Sequence, residues 1–385
     1  GQISVNAGNE TILIDGQGTT VTMSGTLTTT STSNTAILIR DASDVSIRGT
    51  NVGSGQFQIG TPGITPADVT GNVTQSYEAG VGLYAKYVAA NTGGSITLYS
   101  DQNSIENLRT FKLGGSLSVR DESGGLNILE DLTATAIDIA TNGGALTVGT
   151  SNVTSTAGNI SLRGAGLTQS TGSTISAGSG SVYITGQQYN APSAAGNVSL
   201  AGTVQSTSSS QTAIQIVNAS PLQIGDIRVT SGGLYVAPAG YTAAVGAVTQ
   251  ATGTVIKAHW LAVQSAGAIN LTNDNEVDYL GTGSTSTYSH SSIAFKDVSG
   301  NLTLGNSVST LNYGASISLN ATSGTLDLAG YDVLGNGITL VGVGVQSTGG
   351  QIGNYGDILI DANDGAILLS GCLLYTSPSP RDQRG

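Results

Sequence analysis

Two related stretches decide the fold: residues 94–108 read GSITLYSDQNSIENL, and residues 267–280 read GAINLTNDNEVDYL, one residue shorter. Each opens with glycine and then places aliphatic residues at every second position, the pattern of a strand that buries one face. The opening glycine indicates a turn with positive φ or a close approach of two backbone segments. The sequence therefore predicts short strands, each preceded by a glycine corner.

The resemblance between the two stretches continues beyond them. Residues 116–128 read SLSVRDESGGLNI, and residues 292–304 read SIAFKDVSGNLTL, in the same order. A second pair links LTQSTGSTISA at residues 167–177 to VTQATGTVIKA at residues 248–258, with a partial echo, VTQS, at residues 73–76. These are long-range copies of one module, as expected of a repeat architecture.

A short motif underlies the module: glycine, any residue, aliphatic, any residue, aliphatic. It begins at Gly94, Gly115, Gly124, Gly144, Gly158, Gly180, Gly196, Gly225, Gly232, Gly267, Gly300, Gly324, Gly356 and Gly365. The irregular spacing fits coils of roughly twenty residues with variable corners, in the range of structural repeats. Sustained helical periodicity is absent, and Ser, Thr, Gly and Asn are poor helix formers.

These patterns predict an all-β parallel β-helix, or solenoid. The chain has 385 residues, with 56 Gly, 9% charged and 5% aromatic residues. Stacked coils place aliphatic residues in a narrow lumen and Thr, Ser and Asn ladders at corners and on faces, which suits this composition. The alternative is an array of β-sandwiches, which carry more aromatic residues and regular hairpin spacing.

We expect residues 1–371 to be one continuous β-helix fragment that lacks sequence at both ends. Residues 61–68, with two prolines, and residues 281–291 are expected to be excursions from the coils. Residues 372–385 read CLLYTSPSPRDQRG and break the pattern. Most of this segment resembles the translation of a transposase-type sequencing adapter, so we interpret it as a non-native tail. The alternative is a genuine proline-rich tail.

The charge of the chain excludes some partners. The formal net charge of −12 argues against nucleic acid, which requires a basic surface, and against anionic membrane surfaces. No run of 18 apolar residues is present, so we expect no membrane-spanning helix.

The sequence motifs predict no catalytic, cofactor-binding or metal-binding residues. Glycoside hydrolysis needs two carboxylates that flank the sugar. The candidates are Asp121/Glu122, Glu130/Asp131 and Asp274/Glu276/Asp278. None is accompanied by the clustered Arg, Lys and His typical of pectinase-like sites, so we interpret them as solvated surface residues. The acidic residues Asp357, Asp361 and Asp364 match no calcium-binding repeat.

The two histidines and the single tryptophan also predict no site. His259 and His290 each lack a nearby Cys or second His, so surface or corner positions are expected. Trp260 follows His259. We interpret Trp260 as an aromatic cap on the lumen, and a sugar-stacking platform is the alternative.

The GNISL- and GAINL-type strands, the paired LTQSTGSTISA and VTQATGTVIKA elements and NDNEVDYL resemble secreted exoproteins of the filamentous-haemagglutinin type and autotransporter passenger domains. The resemblance covers most of residues 94–371. It implies a right-handed β-helical rod, exported through an outer-membrane β-barrel transporter and secreted or held at the surface of a Gram-negative bacterium. It also implies an adhesin, with a host-surface or glycan ligand as a possible partner.

We therefore expect a structural and adhesive rod without catalysis. One alternative is a carbohydrate-active β-helix protein, a polysaccharide lyase or hydrolase, which would gather carboxylates and a basic residue in one groove. Another is a rod similar to a phage tail fibre, which would show apolar trimer-forming faces.

Overall fold

The computed structural model describes residues 4–78, 80–189, 195–236, 246–354, 356–371 and 373–375. Every regular element in these ranges is a β-strand. Within these ranges, no helix is long and apolar enough to cross a membrane. The chain divides into two compact units, with the boundary between Gln205 and Ser206.

The first unit is built from strands of 2 to 11 residues. They are β1 (Val5–Asn6), β2 (Ile12–Thr22), β3 (Thr26–Thr28), β4 (Ile37–Ile47), β5 (Gly49–Ile59), β6 (Val73–Gln75), β7 (Leu83–Thr92), β8 (Ile96–Leu98), β9 (Ser104–Leu113), β10 (Leu117–Asp121), β11 (Leu126–Ile128), β12 (Leu132–Ala134), β13 (Ile137–Thr141), β14 (Leu146–Val148), β15 (Val153–Ser155), β16 (Ile160–Arg163), β17 (Leu167–Gln169), β18 (Thr174–Ser176), β19 (Val182–Thr185), β20 (Gly196–Leu200) and β21 (Thr203–Gln205).

The second unit has the same construction. Its strands are β22 (Ile214–Val217), β23 (Ala219–Ile224), β24 (Asp226–Val236), β25 (Val248–Gln250), β26 (Ile256–Ser265), β27 (Ile269–Leu280), β28 (Thr287–Ser289), β29 (Ile293–Asp297), β30 (Leu302–Leu304), β31 (Val308–Thr310), β32 (Ser316–Asp327), β33 (Val333–Gly335), β34 (Gly337–Ser347), β35 (Gln351–Asn354), β36 (Ile358–Asp361), β37 (Ile367–Leu369) and β38 (Leu373–Tyr375).

Aliphatic residues stack in register through the first unit. One column, paired in parallel from coil to coil, consists of Val45, Val73, Ile96, Leu117, Ile137, Ile160 and Val182. Each of these residues is at most 2% exposed. The pairing advances 20 residues between Leu117 and Ile137 and 31 between Phe57 and Val88. The predicted parallel β-helix with coils of about twenty residues and variable corners is confirmed, and its handedness stays a prediction.

The second unit contains an equivalent column of Leu222, Val248, Ile269, Ile293, Ile317 and Ile338. All six side chains are at most 2% exposed. The three phenylalanines of the chain, Phe57, Phe111 and Phe295, are also buried. In each unit the apolar lumen therefore supplies the hydrophobic stabilisation.

The glycines before the strands act mainly by allowing close approach of neighbouring coils. A methyl group at Gly94 would meet the carbonyl oxygen of Gly71, and one at Gly180 would meet that of Gly158. Gly124 is a different case, because its φ of 86° lies in the left-handed region that favours glycine. Both roles predicted for the glycine corners therefore occur.

Polar ladders connect the corners. The backbone N–H of Asn72 donates to Asp44 Oδ1 at 2.8 Å. The side chain of Asn72 in turn accepts from the N–H of Ser95 at 2.9 Å, and Ser95 Oγ accepts from the N–H of Ser116 at 3.0 Å. The predicted stacking of small polar residues is confirmed, and it satisfies backbone donors that leave the strands.

Some local predictions need correction or lie outside the described residues. Residues 281–291 are not simply an excursion, because β28 lies within them and pairs with β26 and β31. Of the predicted tail 372–385, residue 372 and residues 376–385 lie outside the described part. The backbone of β38 pairs in parallel with β35. The interpretation of residues 372–385 as a non-native tail stays a prediction.

Candidate functional site

A cleft of about 440 Å³ opens in the first unit beside residues 61–68. Pro62 and Gly63 border it from this segment, while Arg109, Lys112 and Glu130 contribute the charged groups of its lining. Ligand pockets commonly have volumes of about 300–1,000 Å³. The cleft is therefore large enough for a small ligand.

Three neighbouring strands bring the cleft residues together. Gln56 and Gln58 on β5 pair with Tyr87 and Ala89 on β7. The pairing of β7 with β9 shifts between Val88 and Ala90, so that β9 carries one extra residue there. Such a bulge bends the strand and changes the direction of its side chains. Arg109 lies at this bulge, on the strand that also carries Lys112.

Arg109 is held in place by several contacts. Its Nη1 donates to Asn34 Oδ1 at 3.0 Å and to Gln56 Oε1 at 2.9 Å. Its guanidinium carbon lies 4.1 Å from the centre of the Tyr87 ring, within cation–π range. Gln56 is itself fixed, because its Nε2 donates to Gln58 Oε1 at 2.7 Å.

Glu130 is the carboxylate of this cleft. Its Oε2 accepts hydrogen bonds from the N–H of Thr110 at 3.2 Å and from Thr110 Oγ1 at 2.6 Å. Its Oε1 lies 3.8 Å from Arg109 Nε. The neighbouring Asp131 makes a different contact, because its Oδ1 accepts a hydrogen bond from the N–H of Asn152 at 2.8 Å. The candidate pair Glu130/Asp131 does not converge.

The predicted excursion at residues 61–68 is a loop without strand structure. Asn91 Nδ2 donates to the carbonyl oxygens of Thr61 and Ile64, both at 2.9 Å. Asp68 accepts from the N–H of Thr61 at 2.8 Å and also from its hydroxyl. Lys112 Nζ donates to Thr65 Oγ1 at 3.2 Å. These contacts fix the loop at the edge of the cleft.

The other carboxylate candidates do not form a site with Glu130. Asp121 is fully buried, so its interpretation as a solvated surface residue is wrong. It accepts from the N–H of Ile105 at 2.8 Å, and burial raises its pKa to about 7. Glu122 forms an ion pair with Arg120. Three carboxylates of β27 each pair with a base on a neighbouring strand: Asp274 with Lys296, Glu276 with Lys257 and Asp278 with His259.

His259 and Trp260 lie on the outer face of the second unit. The ring centres of His259 and Trp260 are 4.1 Å apart, and that of Tyr279 lies 5.1 Å from His259. Trp260 is paired with Gly233 on one side and with Tyr279 on the other. Its interpretation as a cap on the lumen is wrong, because strands flank it on both sides.

The sequence reasoning missed two groups of residues. It expected no clustered bases beside the candidate carboxylates, yet Arg109 and Lys112 share the cleft with Glu130. It also missed Tyr189, whose ring centre lies 4.7 Å from the Arg120 guanidinium carbon and 5.5 Å from that of Arg163. Each group joins residues that are distant in sequence. Basic residues are scarce in this chain, so each of the few Arg and Lys residues could have been treated as a candidate site residue.

Tyr99 completes this second cluster, with its ring edge-on to Tyr189 at 6.2 Å. Burial, together with a hydrogen bond to Tyr189, raises the pKa of Tyr99 to about 12. The Tyr99 phenol therefore stays neutral to a higher pH than an ordinary tyrosine does.

Within the described ranges, no group of three or more His, Cys, Asp or Glu residues could hold a metal ion. Comparisons with protein-family models, with curated proteins and with solved structures give no match.

Proposed function

We propose that the chain belongs to a large secreted or surface-exposed bacterial exoprotein with a structural and adhesive role and no catalysis. The observation that carries this proposal is the pairing of carboxylates one by one with bases on adjacent strands, as in Asp274–Lys296 and Glu276–Lys257. Carboxylates that each pair with a separate base are not gathered around one substrate. A glycosidase instead requires two carboxylates placed on either side of one sugar.

The cleft provides the adhesive surface in this proposal. Arg109 and Gln56 are held by hydrogen bonds before any ligand arrives, which lowers the entropic cost of binding. A cleft that binds one sugar residue weakly gains strength when several copies of the protein contact one surface.

The proposed export route rests on the resemblance of the strand motifs. Exoproteins of the filamentous-haemagglutinin and autotransporter type cross the outer membrane of Gram-negative bacteria through a β-barrel transporter. We propose the same class of transporter as a partner, and the bacterial surface or the medium as the destination.

The test exposes the full chain to immobilised glycans and to host-cell surfaces, and in parallel to soluble polysaccharides. The expected result is retention on a defined set of glycans without release of reducing ends or unsaturated products. Sustained product release by the purified chain would overturn the non-catalytic role.

A second candidate, a carbohydrate-active enzyme, is favoured by one observation. Glu130 shares a cleft with Arg109 and Lys112, so one carboxylate and two basic groups of the set that the alternative requires lie together. Glu130→Gln decides between the two. If product release occurs and this variant abolishes it while the fold is retained, the enzyme is the correct assignment.

A further inference from the structure

We propose that the cleft beside residues 61–68 binds a sugar residue that carries one carboxylate group, with Lys112 and Arg109 facing that carboxylate. This inference rests on the proposed adhesive function and names the chemical class of its ligand. The class is a carboxylated pyranose, whether a hexuronate or a nonulosonate.

The charged groups of the cleft favour an anionic ligand. The Lys112 ammonium donates to the Thr65 hydroxyl, and in the described part of the chain no carboxylate oxygen lies within 4.0 Å of it. The chain as a whole carries a net charge of −12. The lining nevertheless contains two bases, Arg109 and Lys112, and one carboxylate, Glu130. An excess of positive charge inside a cleft of an acidic protein selects an anionic group.

The nearby carboxylates do not pair with Lys112. Asp68, the acidic residue of the loop, accepts hydrogen bonds at both oxygens from Thr61. The Glu130 carboxylate accepts from Thr110 and lies against Arg109. Neither forms an ion pair with Lys112, so the ammonium group is available to a ligand anion.

The composition of the lining favours a sugar over a simple anion. The lining combines polar side chains that are able to hydrogen-bond with hydroxyl groups, Asn34, Gln56 and Glu130, with the small apolar residues Ala89 and Ala90. Binding sites of small ligands are built in this way, from an apolar wall and a few fixed polar groups. A pyranose ring presents both hydroxyl groups and an apolar face, while an inorganic anion uses only the charges.

The test is calorimetric titration of the full chain with three methyl glycosides: a glucuronide, an N-acetylneuraminide and a neutral glucoside. We expect at least one carboxylated glycoside to bind at least about ten times more tightly than the glucoside, because a charge-assisted hydrogen bond contributes a free energy of this size. The glucuronide and the neuraminide distinguish the two sources of the carboxylate.

The decisive variant is Lys112→Ala, which should reduce affinity for the carboxylated glycoside about tenfold, to the level of the glucoside. Lys112→Arg should retain binding, because it keeps the charge. Lys86→Ala is the matched control. Lys86 lies 5.5 Å from the centre of the Tyr87 ring and does not contribute to the cleft lining. It changes the net charge equally and should alter affinity less than about twofold.

Three results would overturn the inference: equal affinity for the glucoside, equal weakening by Lys86→Ala and Lys112→Ala, or no binding of any glycoside by the folded chain. With equal affinity for the glucoside, adhesion to neutral glycans still stands. Failure of the adhesive function itself would appear separately, as absence of retention on every glycan and host-cell surface.

Discussion

Asn103 and Asn275 make the same five hydrogen bonds in their respective units. Each side-chain amide donates to a glutamine and to two backbone carbonyls, and each accepts from the same glutamine and from one backbone N–H. The partners are Gln75, Leu98, Arg120 and Leu83 for Asn103, and Gln250, Leu271, Lys296 and Ile256 for Asn275. All ten distances lie between 2.7 and 3.2 Å.

This correspondence gives the sequence duplication a physical meaning. Both asparagines are fully buried, where unpaired polar groups are costly. The two module copies differ by one residue in length here, yet both preserve a corner in which every polar atom of the buried amide is paired.

The first prediction concerns this corner. Asn103→Ala leaves Gln75 and several backbone groups without partners, and we expect the free energy of unfolding to fall by about 3 kcal/mol or more. Denaturant titration followed by circular dichroism measures it. Asn127→Ala is the control, because Asn127 makes two bonds of 3.2 Å and is only half-buried, so about 1 kcal/mol or less is expected. Equal losses would contradict the role of the corner.

The second prediction concerns pH. Burial raises the pKa of Asp121 from 3.8 to about 7 in the folded chain. Between pH 3.8 and pH 7 the native state therefore binds more protons than the unfolded state does. The stabilisation that comes from this difference is fully present below pH 3.8 and is lost as the pH rises through about 7. Asp121→Asn removes this dependence, and its free energy of unfolding should increase relative to the wild type between pH 4 and pH 8.

Asp297 provides the comparison for Asp121. Burial raises the pKa of Asp297 as well. Backbone hydrogen bonds act in the opposite direction at both Asp121 and Asp297, and the Ser299 hydroxyl adds a further hydrogen bond that lowers the pKa of Asp297. Asp297→Asn should therefore gain less stability, relative to the wild type, over the same pH range. Parallel pH profiles for Asp121→Asn and the wild type would contradict the argument.

The third prediction concerns close approach of coils in the second unit. A methyl group at Gly324 would meet the backbone of Gly300, so Gly324→Ala should destabilise by about 1–3 kcal/mol. Among the described residues, the only atom near a methyl group at Gly337 would be Ser316 Cβ at 3.8 Å, and Gly337→Ala should be neutral or stabilise by about 0.4–1 kcal/mol. Fluorescence of Trp260, the single tryptophan, follows unfolding of this unit. Similar midpoints for the two variants would refute the steric explanation.

The fourth prediction concerns the loop at the cleft. Asn91→Ala removes both side-chain bonds to the loop carbonyls, and we expect faster cleavage before the exposed Ile64 by a protease that cuts at aliphatic residues. Asn34→Ala is the control, because Asn34 lines the same cleft but bonds to Arg109 instead of the loop. An unchanged cleavage rate in Asn91→Ala would show that other contacts hold the loop.

The period-two pattern after each glycine predicted the fold class and a part of the buried residues. Ile96, Leu117 and Val182 follow this pattern, and all three lie in the lumen. The pattern predicted these positions because alternation is a local consequence of strand geometry. It did not predict the burial of Asp121, whose environment depends on the N–H of Ile105 on another strand.

The cleft could not be predicted from the sequence, for a related reason. Gln56 and Arg109 are 53 residues apart, and their contact depends on the register of β5, β7 and β9 and on one bulge. Corner lengths in this chain vary, so register cannot be counted from the repeat alone. The sequence by itself determined the strands, the glycine corners and the apolar lumen, because these depend on neighbours in the chain. Only the tertiary structure decided which outward-facing side chains meet, because that depends on how many residues each corner contains before the next coil begins.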